Sequence, residues 1–283
     1  MTLGDSSTSD IVVYTGIFNN YDILVDPKVV ENNIEYVCLT DDPTLTSDIW
    51  NVKEVGLEYD PHLANRYVKT HPHEYFPKQN LSLYIDGNIL ISEPVGEIIR
   101  ERLQNFNIAL HKHPNRSGIK EEAEACIIQN KASEDAIQAQ MRKYQNENFP
   151  DSNHLTENHV IYRRHNEPDV KSTMETWWNE ILTETPRDQL SLMYAFWKED
   201  VEFNMVSQPA RESDVYRIFP HKPNDWRNRF WPYWVQIRRT RDDSRISNGL
   251  FYLGRTGYVL LDEGPHSLAI KSGKKLARHL DVR

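Results

Sequence analysis

Three observations in this 283-residue sequence predict an α/β layer architecture built on a mostly parallel sheet. Short apolar runs rich in β-branched and aromatic residues alternate with longer helical patterns, as in strand–helix units. The first run, IVVYTGIF at 11–18, has the composition of a buried first strand opening into a loop at a glycine. Three polar clusters, Thr15-Gly16 to Asn19, Asp41-Asp42 and Asp86-Gly87-Asn88, follow such runs, and ligands bind at the carboxyl ends of parallel strands.

After the strand at 11–18, IEYVCL at 34–39 reads as a second, stopped at once by Thr40-Asp41-Asp42-Pro43. A short strand is predicted around 49–55, then a helix over 62–76 that Pro72 should break or kink. LSLYI and NILI are strands on either side of Asp86-Gly87-Asn88. A helix at 94–105, a strand at 107–111 and a long polar helix over 119–146 complete the first half. NHVIYRR at 158–164 is a strand, and 168–184 an amphipathic helix carrying Trp177 and Trp178. A further helix should run through 187–198, with Pro186 at its start, where a missing N–H costs nothing. From about Arg211 the pattern degrades into Trp, Arg and Pro, and reads as an irregular C-terminal lobe wrapping the sheet.

Composition narrows the function. A net charge of −9 disfavours general nucleic-acid binding, which needs a basic surface. The charge is uneven: from Glu212 to Arg283 fourteen Lys and Arg face eight Asp and Glu, a net +6 that leaves −15 for the rest. That asymmetry suits an anionic ligand or an anionic membrane surface on one side, or an ordinary solvated face. Two cysteines, Cys38 and Cys126, both inside regular segments, indicate neither a disulfide framework nor a cysteine metal site. MTLGDSSTSD lacks a basic patch followed by an apolar run, and a cytoplasmic protein beginning near Met1, with a flexible stretch over 1–10, is expected.

Asp86-Gly87-Asn88 is the segment on which function turns. Asp-Gly between apolar runs is a strong hairpin signal. The same carboxylate beyond a buried strand is also suited to a hard divalent cation, which takes one or two carboxylates with phosphate and water. Asp86 with the Asn88 amide could hold such an ion on a diphosphate, and Gly87 lets the backbone approach. A haloacid-dehalogenase-type phosphatase would need a second carboxylate where Tyr84 stands, and neither a P-loop nor a G-x-G-x-x-G fingerprint occurs.

The ordered succession YTGIF, YVCLTDD, NRYVKTHPHEYFPKQNLSLYIDGNI, HKHPNRSGIKEEAEA, WWNEI and RDQLSLMYA resembles the TOD1/MUCI70-like glycosyltransferase family, over roughly residues 11–200. The resemblance implies a GT-A-like, Rossmann-type catalytic domain over 11–210, completed by the basic lobe over 211–283. It implies a nucleotide-diphosphate-sugar donor, UDP-sugar favoured, with Mn2+ or Mg2+ as cofactor. An oligosaccharide or lipid-linked glycan would be the acceptor, in polysaccharide biosynthesis; the peripheral membrane contact is the expectation that the basic C-terminal third raises. Asn88 stands where the second aspartate of the Asp-x-Asp motif would be, leaving Asp86 as the anchor and His221 as a late ligand.

By the same resemblance Thr15, Gly16 and Phe18 border the nucleotide base, and Asp41 reaches ribose or base. Arg66 and Lys69, three apart on one helix face, meet the diphosphate or the sugar, or form an exposed ion-pair face. His111, His113, Arg116 and Gln189 are assigned to sugar or acceptor. Asp188 is the candidate base for transfer with inversion, although an aspartate in a first helical turn is also a common cap. A carbohydrate-binding module without catalysis and a sugar nucleotidyltransferase are the alternatives.

Overall fold

The computed structural model describes residues 9–150, 154–223, 225–241 and 243–262. The flexible start expected over 1–10 falls largely on 1–8, outside them. The chain divides into two units, Met1–His221 and Lys222–Arg283.

Among the described residues, seven strands of the first unit form one sheet: β1 (Ile11–Ile17), β2 (Ile34–Thr40), β3 (Asn51–Glu54), β4 (Leu81–Ile85), β6 (Ile108–Lys112), β7 (Thr156–Arg163) and β8 (Asn204–Val206). Their order is β3-β2-β1-β4-β7-β6-β8. β1 runs parallel to β2 and β4, β2 to β3 and β6 to β8, whereas β7 is antiparallel to β4 and β6. This is the mostly parallel, Rossmann-type layer expected.

β1 is buried along its whole length, and its side chains alternate between two cores. Val12 and Tyr14 face helices α1 (Pro61–Thr70), α6 (Pro168–Thr183) and α7 (Leu192–Glu199), with Val68, Trp177 and Phe196 in the same cluster. Ile11, Val13 and Ile17 face the opposite core with Ile99 of α3 (Gly96–Arg102). A strand covered on both faces has no polar side to display, so the run is continuously apolar.

Asp86 and Gly87 turn the chain, Ile89 N donating to Asp86 O at 3.1 Å, yet the flanking strands do not form a hairpin. β5 (Ile89–Ile91) pairs antiparallel with β9 (Tyr216–Ile218), while β4 pairs with β1 and β7. The turn therefore ends a central strand instead of joining two neighbours. Pro72 does break its helix: α1 stops at Thr70 and a single turn, α2 (Pro72–Tyr75), follows. The helix expected over 119–146 is two, α4 (Ile119–Ile128) and α5 (Glu134–Asn146), separated where Asn130 takes a φ of 52°. Such a left-handed residue ends helices.

In the second unit the segment read as irregular carries a 3-10 turn, Trp226–Phe230, and helices α8 (Trp231–Arg239) and α9 (Arg245–Asp262). Pro232 sits in the first turn of α8, where proline is tolerated, and Trp234 stacks on Phe251 at 5.7 Å and 9°.

Candidate active site

A cavity of about 600 Å³ opens where β1 and β4 end. Gly16 and Gly87 form its floor, and each is a close approach: a Cβ on Gly16 would meet Val68 at 2.7 Å, and one on Gly87 would meet Ile17 at 2.9 Å. Phe18, Arg66, Lys69, Asp86, Asp188 and His221 are among its lining residues.

Helix α1 delivers the cations. Asp60 caps it by accepting from His62 N and Leu63 N, and Asn65 ties it to β1 by donating to Gly16 O at 2.8 Å. At its end, Tyr14 OH and the buried Arg163 both donate to the Lys69 carbonyl, at 3.1 and 2.7 Å. The Lys69 side chain is 2% exposed, with Nζ 2.7 Å from Asp188 Oδ2 and 3.6 Å from Asp86 Oδ1. Arg66 Nε is 3.6 Å from Asp188 Oδ2 and makes no hydrogen bond although buried; Arg187 Nε is likewise buried and unbonded. Both side chains line the cavity, so an anion bound there would meet two guanidinium groups.

Burial by itself would raise both carboxyl pKa values. For Asp188 the charges of Arg66, Lys69 and Arg187 overcome burial and hold it well below the usual carboxylate range. For Asp86, Lys69 and then Arg66 and His159 do the same to a lesser degree. The neutral Tyr84 donates to Asp86 Oδ1 at 2.9 Å, and burial keeps that phenol protonated. The Asp188 carbonyl is fixed by Trp177 Nε1 at 3.0 Å and Asn158 Nδ2 at 3.2 Å. Trp177, a core residue by composition, thus also pins the site.

The structure brings Gly16, Phe18, Arg66, Lys69, Asp86, Gly87, Asp188, Gln189 and His221 to one cavity. Thr15 is buried and Asp41 accepts from Asn19 N at 2.9 Å; neither is among the lining residues. His111, His113 and Arg116 are not among the lining residues. Nδ1 of His111 lies 2.7 Å from Gln208 O and its Nε2 3.1 Å from Tyr162 OH; His113 accepts from Arg116 N at 3.0 Å, and Arg116 pairs with Glu122.

Of the three expected metal ligands, Asn88 is turned away: its Nδ2 donates to Phe219 O at 2.6 Å, tying β5 to the end of β9. Among the described residues no three His, Cys, Asp or Glu side chains converge on a metal position. Asp86 and His221 remain, two donors on one cavity, and hard divalent ions characteristically take only one or two protein ligands alongside substrate phosphate. His221 Nδ1 is 3.0 Å from Asp22 Oδ2, and this hydrogen bond raises the imidazole pKa. A carboxylate on Nδ1 directs Nε2 outward as the ligating atom.

Sequence reasoning missed Asp22, Asn65, Asn158 and His159. Asp22 follows two asparagines, Asn19 and Asn20, that both adopt positive φ, a tight loop whose composition was visible although its direction was not. Asn158 and His159 sit in the NHV run of β7, read only as strand.

A family model for the TOD1/MUCI70 glycosyltransferase-like domain matches residues 3–221. The chain belongs to this family. A protein described as a probable hexosyltransferase, MUCI70 of Arabidopsis thaliana, is 28% identical over 211 residues, 64% of this chain and 36% of that protein. The chain thus spans about a third of the length of that relative. Among solved structures, the apo form of WbbM bifunctional glycosyltransferase is similar over 72% of this chain and 40% of that one, at 13% identity and a TM-score of 0.46. The TOD1/MUCI70 match ends at His221, the last residue of the first unit, so the cavity lies wholly within it.

Proposed function

We propose that the chain transfers a hexosyl group from a nucleotide-diphosphate sugar, UDP-sugar favoured, to a hydroxyl of an oligosaccharide or lipid-linked glycan, in cytoplasmic polysaccharide assembly. The observation that carries this reading is the Lys69 ammonium between Asp86 and Asp188, with the unbonded Arg66 Nε beside it, at the carboxyl ends of β1 and β4. Phe18 and the Gly16 backbone border the base, and Lys69 and Arg66 meet the diphosphate. Asp86 and His221 would hold Mn2+ or Mg2+ against the same group, with Asp22 orienting His221; when bound, the ion supplies positive charge to the departing diphosphate.

In the transfer, the anomeric carbon–oxygen bond to the diphosphate breaks and its electron pair leaves with the nucleotide. The acceptor oxygen bonds to that carbon and its proton must go to a base. Asp188 was the expected base. A carboxylate held so far below its ordinary range by three cations is a weak proton acceptor, and we assign it as a positioning residue for Lys69 and Arg66. The other aspartates lining the cavity are also engaged, Asp22 with His221, Asp60 at the cap of α1, and Asp86 with Tyr84 and Lys69. With the aspartates engaged, the reading gives the proton to the departing diphosphate oxygen, on the face the leaving group occupies, with retention; neutral His62 on the cavity wall is the alternative base, and it would invert.

The test is nucleoside-diphosphate release from a panel of UDP- and GDP-hexoses with and without glycan acceptors, the product being read by proton NMR. Acceptor-dependent release with retention supports the reading. Inversion would restore a base, Asp188 or His62, and overturn the retaining assignment; binding of glycans with no turnover of any nucleotide sugar would indicate a non-catalytic module.

A further inference from the structure

Helix α9 of the second unit carries two apolar faces, and among the described residues only one is packed within that unit. Phe251 is buried against Trp234, and a Cβ on Gly254 would strike the same indole at 2.5 Å. Ile246, Leu250, Leu253 and Leu260 point elsewhere. Spaced four, seven and fourteen residues from the first, they form one stripe, with Ile246 77% and Leu253 72% exposed. On α8, Tyr233 is 71% exposed, and Phe230 just before it is also exposed.

Charge around these apolar residues is mainly positive, with Asp225, Asp243 and Asp262 outside the two apolar stretches. Neither 231–239 nor 246–261 contains an Asp or Glu, while Arg229, Arg245 and Arg255 are exposed. Over 222–262 eight Lys and Arg face four Asp and Glu. Among the described residues no helix is long and apolar enough to cross a membrane. An apolar stripe on a cationic helix, too polar to span, is the physical description of an element that lies in a lipid interface with its basic groups at the phosphates.

We infer that this helical pair docks on an anionic phospholipid bilayer surface, the stripe of α9 entering the interface and the arginines meeting lipid phosphates. A second copy of the chain is the lesser fit, because an isologous contact through the stripe would bring like-charged arginines together. Nucleic acid would leave the leucines without a role.

The test uses the full chain and vesicles of phosphatidylcholine alone, or mixed with phosphatidylglycerol at about seven to three. Sedimentation should pellet at least about tenfold more protein with the anionic vesicles, and raising salt from about 0.1 to about 0.5 M should reverse much of it. The double variant Leu250→Glu/Leu253→Glu, both positions being exposed, should keep the wild-type melting temperature and lose the pelleting. Equal pelleting on neutral vesicles, none on either, or pelleting untouched by the variant would overturn the inference. So would a dimer seen by light scattering that the variant dissolves, since the stripe would then be an interface between copies. Nucleotide-sugar turnover in the first unit is measured without vesicles, and its outcome is independent of this one.

Discussion

Two polar clusters lie at strand ends of the same sheet, and they differ in one respect. At the end of β6, His111, His113, Arg116, Glu122, Glu157, Tyr162 and Arg211 bond one another and the backbone. Glu157, 2% exposed, accepts from Ala210 N at 2.7 Å and Arg211 Nε at 3.0 Å, and Tyr162 OH lies 2.6 Å from Tyr216 OH. At the ends of β1 and β4, the cations border a cavity and two guanidinium Nε atoms find no hydrogen-bond partner. Both pair buried carboxylates with basic side chains. Orphaned Nε atoms alone do not mark a site, since Arg102 and Arg163 carry them too; what separates the clusters is that one borders a cavity and the other is packed against protein.

Breaking each cluster should therefore give opposite signatures. The largest effect is expected from Lys69→Met, which strips the 2.7 Å cation from Asp188: kcat/KM for any nucleotide-sugar reaction should fall by about 10²–10³. The same variant should lose about 3 kcal/mol in urea unfolding, because the buried carboxylate keeps only the more distant Arg66 and Arg187. Glu157→Ala should cost about 1–3 kcal/mol of stability by orphaning Ala210 N and Arg211, with turnover per folded molecule unchanged. A loss of turnover without a loss of stability there would erase the distinction between the clusters.

Asp22→Asn sharpens it further. It removes the charge that orients His221, so the concentration of Mn2+ needed for half its thermal-shift effect should rise about tenfold, with little change when no metal is added. The smallest effect concerns pH. Burial, with Arg116 and Arg211 nearby, lowers the His113 pKa to about 4, so the folded protein keeps it neutral while the unfolded chain protonates it near the ordinary value. Its contribution is present above the unfolded pKa and is lost as pH falls from there toward 4, so stability should decline across that window. His113→Gln should flatten the decline in urea titrations.

Much of the sheet was legible because burial on both faces writes itself into sequence: IVVYTGI and LSLYI are apolar at every position that matters. The break at Pro72 was legible because proline acts locally. The partner of β5 was not, since β9 lies some 125 residues further along and nothing in NILI names it. Asn88 was misjudged for the same reason: the carbonyl it holds, Phe219 O, is remote in sequence. His111 and His113 looked available because a short strand end exposes no sign of the Tyr162 hydroxyl or the Glu122 carboxylate that closes the network. Arg66 and Lys69 were found by spacing and resemblance, and their lock on Asp188 required the fold.

The most direct test titrates UDP and GDP by calorimetry into wild type, Arg66→Gln and His111→Gln. A nucleoside diphosphate that binds wild type and His111→Gln alike, and Arg66→Gln at least about tenfold more weakly, is the predicted result. Binding lost in His111→Gln and kept in Arg66→Gln would move the ligand to the end of β6 and contradict the account.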